Sequence, residues 1–138
     1  MGQLIDTSIF IGIERRGMTP RDVALVGAAE ETAALPAITA SEPLIGVHRA
    51  DSEDRRVRRE VFVEGVLEAF QIMPFDLRVA RVHARVWAGL LSRGQMIGES
   101  DLLIAATALA HSCAVLTENV RDFGRVPELV VRQPRWPA

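Results

Sequence analysis

The segment from Asp101 to Phe123 constrains the fold more than any other part of the chain. Asp101 is followed by ten residues without charge, and apolar side chains fall on every face of the helix that they predict. A helix that is apolar all round is buried inside a domain. The run from Cys113 to Leu116 then predicts a short strand. We therefore expect a buried helix, capped by Ser100, whose first turn holds a carboxylate that is costly to bury without a compensating group.

Short apolar runs and helical patterns alternate along the whole chain. The predicted strands are 3–5, 35–38, 71–73, 113–116 and, at the edge, 128–132; the predicted helices are 7–16, 21–34, 42–49, 51–70, one from 76 past 91, and the one that opens at 101. Thr19 and Pro20 mark the start of the second of these helices. Strands that alternate with helices are typical of a parallel sheet covered by helices. We predict one α/β domain over residues 1–138.

One predicted helix carries a regular apolar stripe. Its members, at spacings of three and four residues, are Leu77, Ala80, Ala84, Trp87 and Leu91. This spacing places them on one side of the helix, which we expect to face the core.

Composition excludes several classes of protein. A net charge of −2 gives no overall basic field of the kind that attracts nucleic acid. A single cysteine excludes an internal disulfide and fits a reducing compartment. Asp6 and Glu14 interrupt the apolar residues that a signal peptide would need, and the least polar run, 102–116, is too short to span a membrane. We expect a cytoplasmic protein without membrane contact.

Acidic residues stand where the predicted strands end. Asp6 ends the first strand, Glu42 lies just after the second, and Asp122 follows the fourth. Ligands of parallel α/β sheets bind at the carboxyl ends of strands, so these acids are expected to converge. Crowded carboxylates repel one another unless a cation shares the site. Oxygen ligands of this kind suit Mg²⁺ or Mn²⁺.

Five segments of the chain, taken in order, resemble the PIN-domain ribonucleases, and within them the toxins of VapBC-type toxin–antitoxin pairs. The segments are LIDTSIFI (4–11), ITASEPLIGV (38–47), DLLIAATAL (101–109), NVRDF (119–123) and RVPEL (125–129). Together they extend over the whole chain. The resemblance implies a PIN-like three-layer α/β/α sandwich with a central, mostly parallel sheet of four to five strands.

The resemblance also implies a function and its residues. It implies an endoribonuclease that uses Mg²⁺ or Mn²⁺ to hydrolyse RNA phosphodiester bonds, with a small antitoxin protein as partner and a homodimer as assembly. Such an ion lowers the pKa of a bound water and stabilises phosphate charge. The residues that match the family's metal-binding and catalytic acids are Asp6, Glu42, Asp101 and Asp122. The polar residues that it places around them are Thr7, Ser8, Thr117 and Asn119. Pro43 departs from the family pattern, which puts the aim of Glu42 in question.

Each acid also has a plain structural interpretation. Asp6 is suited to start a turn after its strand, and Glu42 forms a Thr-x-x-Glu capping box with Thr39. Asp101 is favoured in the first turn of any helix by the helix dipole. Asp122 has arginine neighbours with which a loop acid pairs.

Arginines form two further groups, one a run on the helix after Asp54 and the other a stripe on the helix after Asp76. Their members are Arg55, Arg56, Arg58 and Arg59 in the first and Arg78, Arg81 and Arg85 in the second. Three interpretations stay open: a solvated face balanced by acids, contact with RNA phosphates, and docking of an acidic antitoxin segment.

Two rival functions also stay open. One is a magnesium-dependent phosphatase with Asp6 as nucleophile; it would need a second acid where Ser8 stands, and the chain has no lysine to neutralise a phosphoryl group. The other is a degenerate PIN-like module that binds a partner without catalysis.

Overall fold

A sheet of five parallel strands forms the centre of the part of the chain described by the computed structural model, residues 1–28 and 31–137. The strands are β1 (Gln3–Ile5), β2 (Ala33–Pro36), β3 (Gln71–Met73), β4 (Ala114–Leu116) and β5 (Val131–Arg132). The helices are α1 (Thr7–Arg15), α2 (Val23–Val26), α3 (Ala37–His48), α4 (Glu53–Ala69), α5 (Leu77–Ser92), α6 (Glu99–Ala110) and α7 (Val120–Phe123), with a short 3-10 helix at Pro20–Asp22. The strand order is β3-β2-β1-β4-β5. The predicted α/β class and parallel sheet are confirmed.

Helices cover both faces of this sheet. Successive strand residues point to opposite faces, so Leu4 and Val115 pack in one core while Ile5 and Leu116 pack in another. The first core includes most of the buried side of α6, and the second includes α1 and α2. The predicted three-layer α/β/α arrangement is therefore confirmed. No helix within the described ranges is long and apolar enough to cross a bilayer.

The prediction of a helix over residues 21–34 is wrong for most of that range. The chain does turn helical at Pro20, but α2 ends at Val26, and residues 29–30 lie outside the described part. Ala34 instead belongs to β2, where it pairs with Leu4 of β1 and Gln71 of β3. Pairing on both edges outweighs the weak helix preference of a short alanine-rich segment. The predicted strand 35–38 accordingly moves to 33–36.

The start of α3 is also earlier than predicted. The helix begins at Ala37 after the extended Pro36, so Glu42 lies in its second turn and Pro43 lies inside it. Proline lacks the N–H that would bond to the carbonyl of Thr39. Thr39 is buried within the helix, and its hydroxyl has no hydrogen-bond partner among the described residues. The capping-box interpretation of Thr39 with Glu42 is therefore wrong.

The apolar stripe on α5 does not face the core. Leu77, Trp87 and Leu91 are 67%, 43% and 55% exposed, while the buried residues of α5 are Val79, Val86 and Leu90. The helix thus has two apolar sides, and the rest of the protein covers the side that carries Val79, Val86 and Leu90. The prediction that the stripe packs inward is wrong.

Smaller differences concern element ends. Gly98, not Ser100, precedes the first residue of α6, so Ser100 lies in the first turn and is not the cap. The edge strand β5 is confined to Val131–Arg132 instead of 128–132, and β4 begins at Ala114.

Candidate active site

The site lies where the direction of the strand order reverses. From β1 the chain moves outward to β2 and β3 on one side, then crosses over to β4 and β5 on the other side. A crevice forms at the carboxyl ends of the two strands that flank such a reversal. Asp6 directly follows β1, Thr117 directly follows β4, and the N–H of Asp6 donates to the carbonyl of Leu116 at 3.0 Å. The topology therefore fixes these two residues side by side.

Both carboxylate oxygens of Asp6 are held by hydrogen bonds. Oδ1 accepts from the N–H of Thr7 at 2.9 Å, which caps α1. Oδ2 accepts from Ser8 Oγ at 2.8 Å and from Thr117 Oγ1 at 2.7 Å. Asp6 is only 6% exposed. These contacts fix the direction of a nearly buried carboxylate, which is what a ligand of a cation requires.

An amide side chain links two further acids. Asn119 Nδ2 donates to Asp101 Oδ2 at 2.8 Å and to Asp122 Oδ2 at 3.1 Å. The first turn of α6 supplies Asp101, and α7 supplies Asp122. The N–H of Asn119 in turn donates to Thr117 Oγ1 at 2.9 Å. One loop, residues 117–119, thus contacts three of the four predicted acids.

Glu42 reaches the same region from α3, which packs against α1 and α6. It is half-buried, and burial raises the pKa of its carboxyl group, an effect that the nearby hydroxyl of Ser100 only partly opposes. Thr7 Oγ1 also faces Glu42, yet it is buried and makes no hydrogen bond within the described residues. An unpartnered buried hydroxyl of this kind leaves a position for a water or a ligand oxygen.

The acids are close enough to influence one another's ionisation. Burial raises the pKa of Asp101 to about 6; the charges of Asp6, Asp122 and Glu42 add to the rise, and the hydrogen bond from Asn119 opposes it. Burial and the charge of Asp6 also raise the pKa of Glu42. The structure thus brings together all four acids that the sequence singled out. The four polar residues predicted around them lie there too.

The donor set fits a hard divalent cation. Carboxylate and hydroxyl oxygens are the ligands that Mg²⁺ prefers, and the ion usually keeps several waters and uses one or two carboxylates. Across residues 1–28 and 31–137, no group of three or more acidic, histidine or cysteine side chains forms a cage that could hold a metal ion. A site that shares its cation with water and substrate does not need such a cage. Repulsion at Asp101 and Glu42 would be relieved by a positive charge.

A cleft of about 390 Å³ opens beside the acids. Glu42 and Thr7 belong to both the cleft and the acid cluster. The remaining lining is mostly apolar, with two arginines and one further acid: Phe10, Ile11, Glu14, Arg15, Pro43, Gly46, Arg59, Phe62 and Val63. The cleft extends the site along α1, α3 and α4. It therefore offers space for a ligand larger than an ion.

Sequence reasoning missed the role of Ser100 and the depth of this cleft. Ser100 precedes Asp101 directly, and we expected only a helix cap; its place inside the first turn of α6 lets it face Glu42 instead. The cleft depends on how α4 lies against α1, for which a single sequence carries no local signal.

Comparisons with known proteins identify the family of this chain. The PIN domain model matches residues 4–129. Ribonuclease VapC1 of Rickettsia felis is 38% identical over 131 residues, covering 95% of each chain. Ribonuclease VapC of Rickettsia bellii is 37% identical with the same coverage.

Solved structures have the same fold. A VapBC2 structure from Rickettsia felis, bound to a promoter DNA fragment, superposes with a TM-score of 0.84 at 23% identity, covering 99% of this chain and 100% of the other. VapBC-5 from Mycobacterium tuberculosis, a member of the VapBC family of toxin–antitoxin systems, gives 0.73 at 27% identity, with 98% of each chain covered. The chain therefore belongs to the PIN-domain family, within its VapC group.

Proposed function

We propose that this protein is a Mg²⁺- or Mn²⁺-dependent endoribonuclease that acts in the cytoplasm as the toxin of a toxin–antitoxin pair. The observation that carries the proposal is the convergence of Asp6, Glu42, Asp101 and Asp122 at the carboxyl ends of β1 and β4. Two relatives of nearly the same length bear the name ribonuclease, which supports RNA as substrate.

In this proposal one or two of the four acids would bind the cation directly, the others would act through its bound waters, and the surrounding groups orient them. When bound, the ion would supply Lewis-acid activation of water and neutralise charge on the phosphate. Ser8 and Thr117 fix Asp6 through their hydroxyl groups. Asn119 keeps Asp101 and Asp122 at a set separation, since one amide nitrogen donates to both.

The cleft beside the acids supports an extended substrate. Arg15 and Arg59 line it, and arginine side chains bind RNA phosphates through charge and paired N–H donors. Arg55 and Arg56 are already engaged, with Asp51 and with two glutamates respectively, whereas Arg59 makes no ion pair within the described residues. We therefore assign phosphate contact to Arg59 and a solvated, charge-balanced role to Arg55 and Arg56. Single-stranded RNA is the expected substrate, because its backbone and bases are accessible.

The partners proposed are a cognate antitoxin and a second copy of this chain. Structures with the same fold carry toxin–antitoxin descriptions, which supports the antitoxin. The exposed stripe of α5 supports the homodimer: Leu77, Trp87 and Leu91 form a row on its outer side, and Phe75 is 48% exposed beside its start. Large exposed apolar side chains on one side of a helix are typical of a protein interface.

Cleavage by purified protein tests the proposal. Wild type should cut single-stranded RNA only with Mg²⁺ or Mn²⁺ present, and Asp6→Asn should reduce cleavage at least about 100-fold. The amide still offers an oxygen to cap α1, so the variant should fold. Asp54→Asn, an exposed acid on α4, serves as the matched control and should keep full activity. Persistent cleavage by Asp6→Asn contradicts the site.

Calorimetric titration with Mn²⁺ separates the rival functions. If Mn²⁺ binds to wild type but not to Asp6→Asn and no RNA is cut, the protein is a non-catalytic binding module. Metal-dependent release of phosphate from a simple monoester, with RNA left intact, indicates a phosphatase instead.

A further inference from the structure

The chain continues past the PIN-matched residues, which end at 129, as a tail that returns to the site. The backbone N–H of Arg135 donates to the carbonyl of Val26 at 2.8 Å, which anchors the tail beside α2. Trp136 then packs against the core that contains Ile9, Phe10 and Ile13 of α1. The tail therefore has a defined position on the outer side of α1.

A specific seat on α1 receives the Trp136 ring. A Cβ atom at Gly12 would lie 2.5 Å from the ring, closer than real contacts allow. The guanidinium carbon of Arg16, one turn later, lies 3.9 Å from the ring centroid, a cation–π contact. Glycine inside a helix costs about 1 kcal/mol relative to alanine. Close approach of this ring is a physical reason for a glycine at position 12.

From this seat Trp136 contacts the loop that organises the acids. Its indole Nε1 donates a hydrogen bond to Glu118 Oε1. Glu118 stands between Thr117 and Asn119, the residues that bond to Asp6 and to the other acids. The N–H of Glu118 also donates to Ser8 Oγ at 3.1 Å. A continuous chain of contacts thus runs from the tail to the acid cluster.

We propose that Trp136 is a positioning residue for the proposed nuclease reaction: by holding Glu118, it fixes residues 117–119 against the acid cluster. The effect on catalysis rests on the proposed function. The contact between Trp136 and Glu118 and its effect on the position of residues 117–119 do not depend on that function. It also gives Glu118 a role, since the side chain of this exposed acid accepts the indole N–H instead of entering the site.

Kinetics of four variants separate positioning from packing. Trp136→Phe keeps an aromatic side chain but lacks the N–H donor and the outer ring atoms that contact Gly12, and Glu118→Ala removes only the acceptor. Each should lower kcat about tenfold with KM changed less than about twofold, because a misplaced site loses rate more than binding. The double variant should lose no more than either single one. Glu118→Gln retains an acceptor oxygen and should restore kcat to near wild type.

A stability control comes from the same core. Phe70 packs on Phe10, with ring centroids 5.7 Å apart, and belongs to the core on which Trp136 packs. Phe70→Leu should lower Tm without changing kcat. If Trp136→Phe behaves like Phe70→Leu, or if the effects of Trp136→Phe and Glu118→Ala simply add, the positioning role is overturned.

Amide hydrogen exchange tests the same contact without activity. In Trp136→Phe and Glu118→Ala, exchange at Glu118 and Asn119 should become faster, while exchange in β1 stays unchanged. Unaltered exchange at both residues overturns the proposal. Faster exchange in a protein whose wild type cleaves no RNA upholds the contact and refutes only the nuclease function.

Discussion

Replacing Asp101 by asparagine should stabilise the protein when divalent metal is removed. Folding raises the pKa of this carboxyl group from 3.8 to about 6, so the folded state binds its proton more tightly than the unfolded chain does. The free energy of unfolding therefore falls as the pH rises from about 4 through 6, and the full penalty is present at pH 7. Asparagine carries no charge and retains an oxygen that can accept from Asn119, so it removes this penalty without removing the contact.

The size of the effect follows from the shift. A change from 3.8 to about 6 corresponds to about 3 kcal/mol at neutral pH. Solvent still reaches Asp101, which screens the interaction, so we expect about 1–2 kcal/mol. For a chain of this length that is a rise in Tm of about 3–8 °C.

Urea unfolding of chelator-treated protein at two pH values measures this effect. At pH 7.5 Asp101→Asn should be more stable than wild type, and at pH 4 the difference should nearly disappear because wild type is then largely protonated. Glu64→Gln, at an exposed acid in the middle of α4, should leave the free energy of unfolding within about 0.5 kcal/mol at both pH values. A lower stability of Asp101→Asn at pH 7.5, or an equal gain at both pH values, refutes the argument from crowded charges.

Three more predictions address other parts of the molecule. Asn119→Ala removes the amide that donates to two acids and should lower kcat about 10- to 100-fold. An unchanged kcat would show that Asp101 and Asp122 keep their orientation without this amide. Arg59→Ala should weaken RNA binding and lower the slope of log affinity against log salt by about 1, whereas Arg55→Ala, whose guanidinium is already paired, should change neither in the same titrations. Leu91→Arg places a charge in the exposed stripe of α5 and should convert a dimer to a monomer in sedimentation experiments. The matched Leu25→Arg, at another exposed leucine, should leave the dimer intact.

The sheet and the acids could be predicted because both depend on local sequence. Asp6 follows a strand of three buried residues directly, and in a parallel sheet every strand end of this kind faces the same edge. Asp101 stands out in the sequence because it is a charged residue at the start of a run that is otherwise uncharged and mostly apolar. At Asp6 and Asp101 the sequence pattern and the three-dimensional position agree, whereas Glu42, predicted at a helix start, lies in the second turn of α3.

The remaining features depend on long-range contacts. The alanines of β2 have a helical preference that pairing with β1 and β3 overrides. Two apolar sides occur on α5, and periodicity does not say which of them the rest of the chain covers. The predicted helix start at Glu42 is too late, because a helix held between neighbours tolerates the hydrogen bond lost at Pro43. The seat for Trp136 joins Gly12 to a residue 124 positions later in the sequence, a separation at which local patterns carry no information.

Two junctions between strand and helix contain almost no connecting chain. Only Asp6 separates Ile5 of β1 from Thr7 of α1, and Pro36 of β2 is followed at once by Ala37 of α3. Each helical residue turns the side-chain direction by about 100°, so one inserted residue at either junction would rotate an acid out of the cluster. Differences in length between related chains should therefore accumulate away from these two junctions, in segments that position no acid.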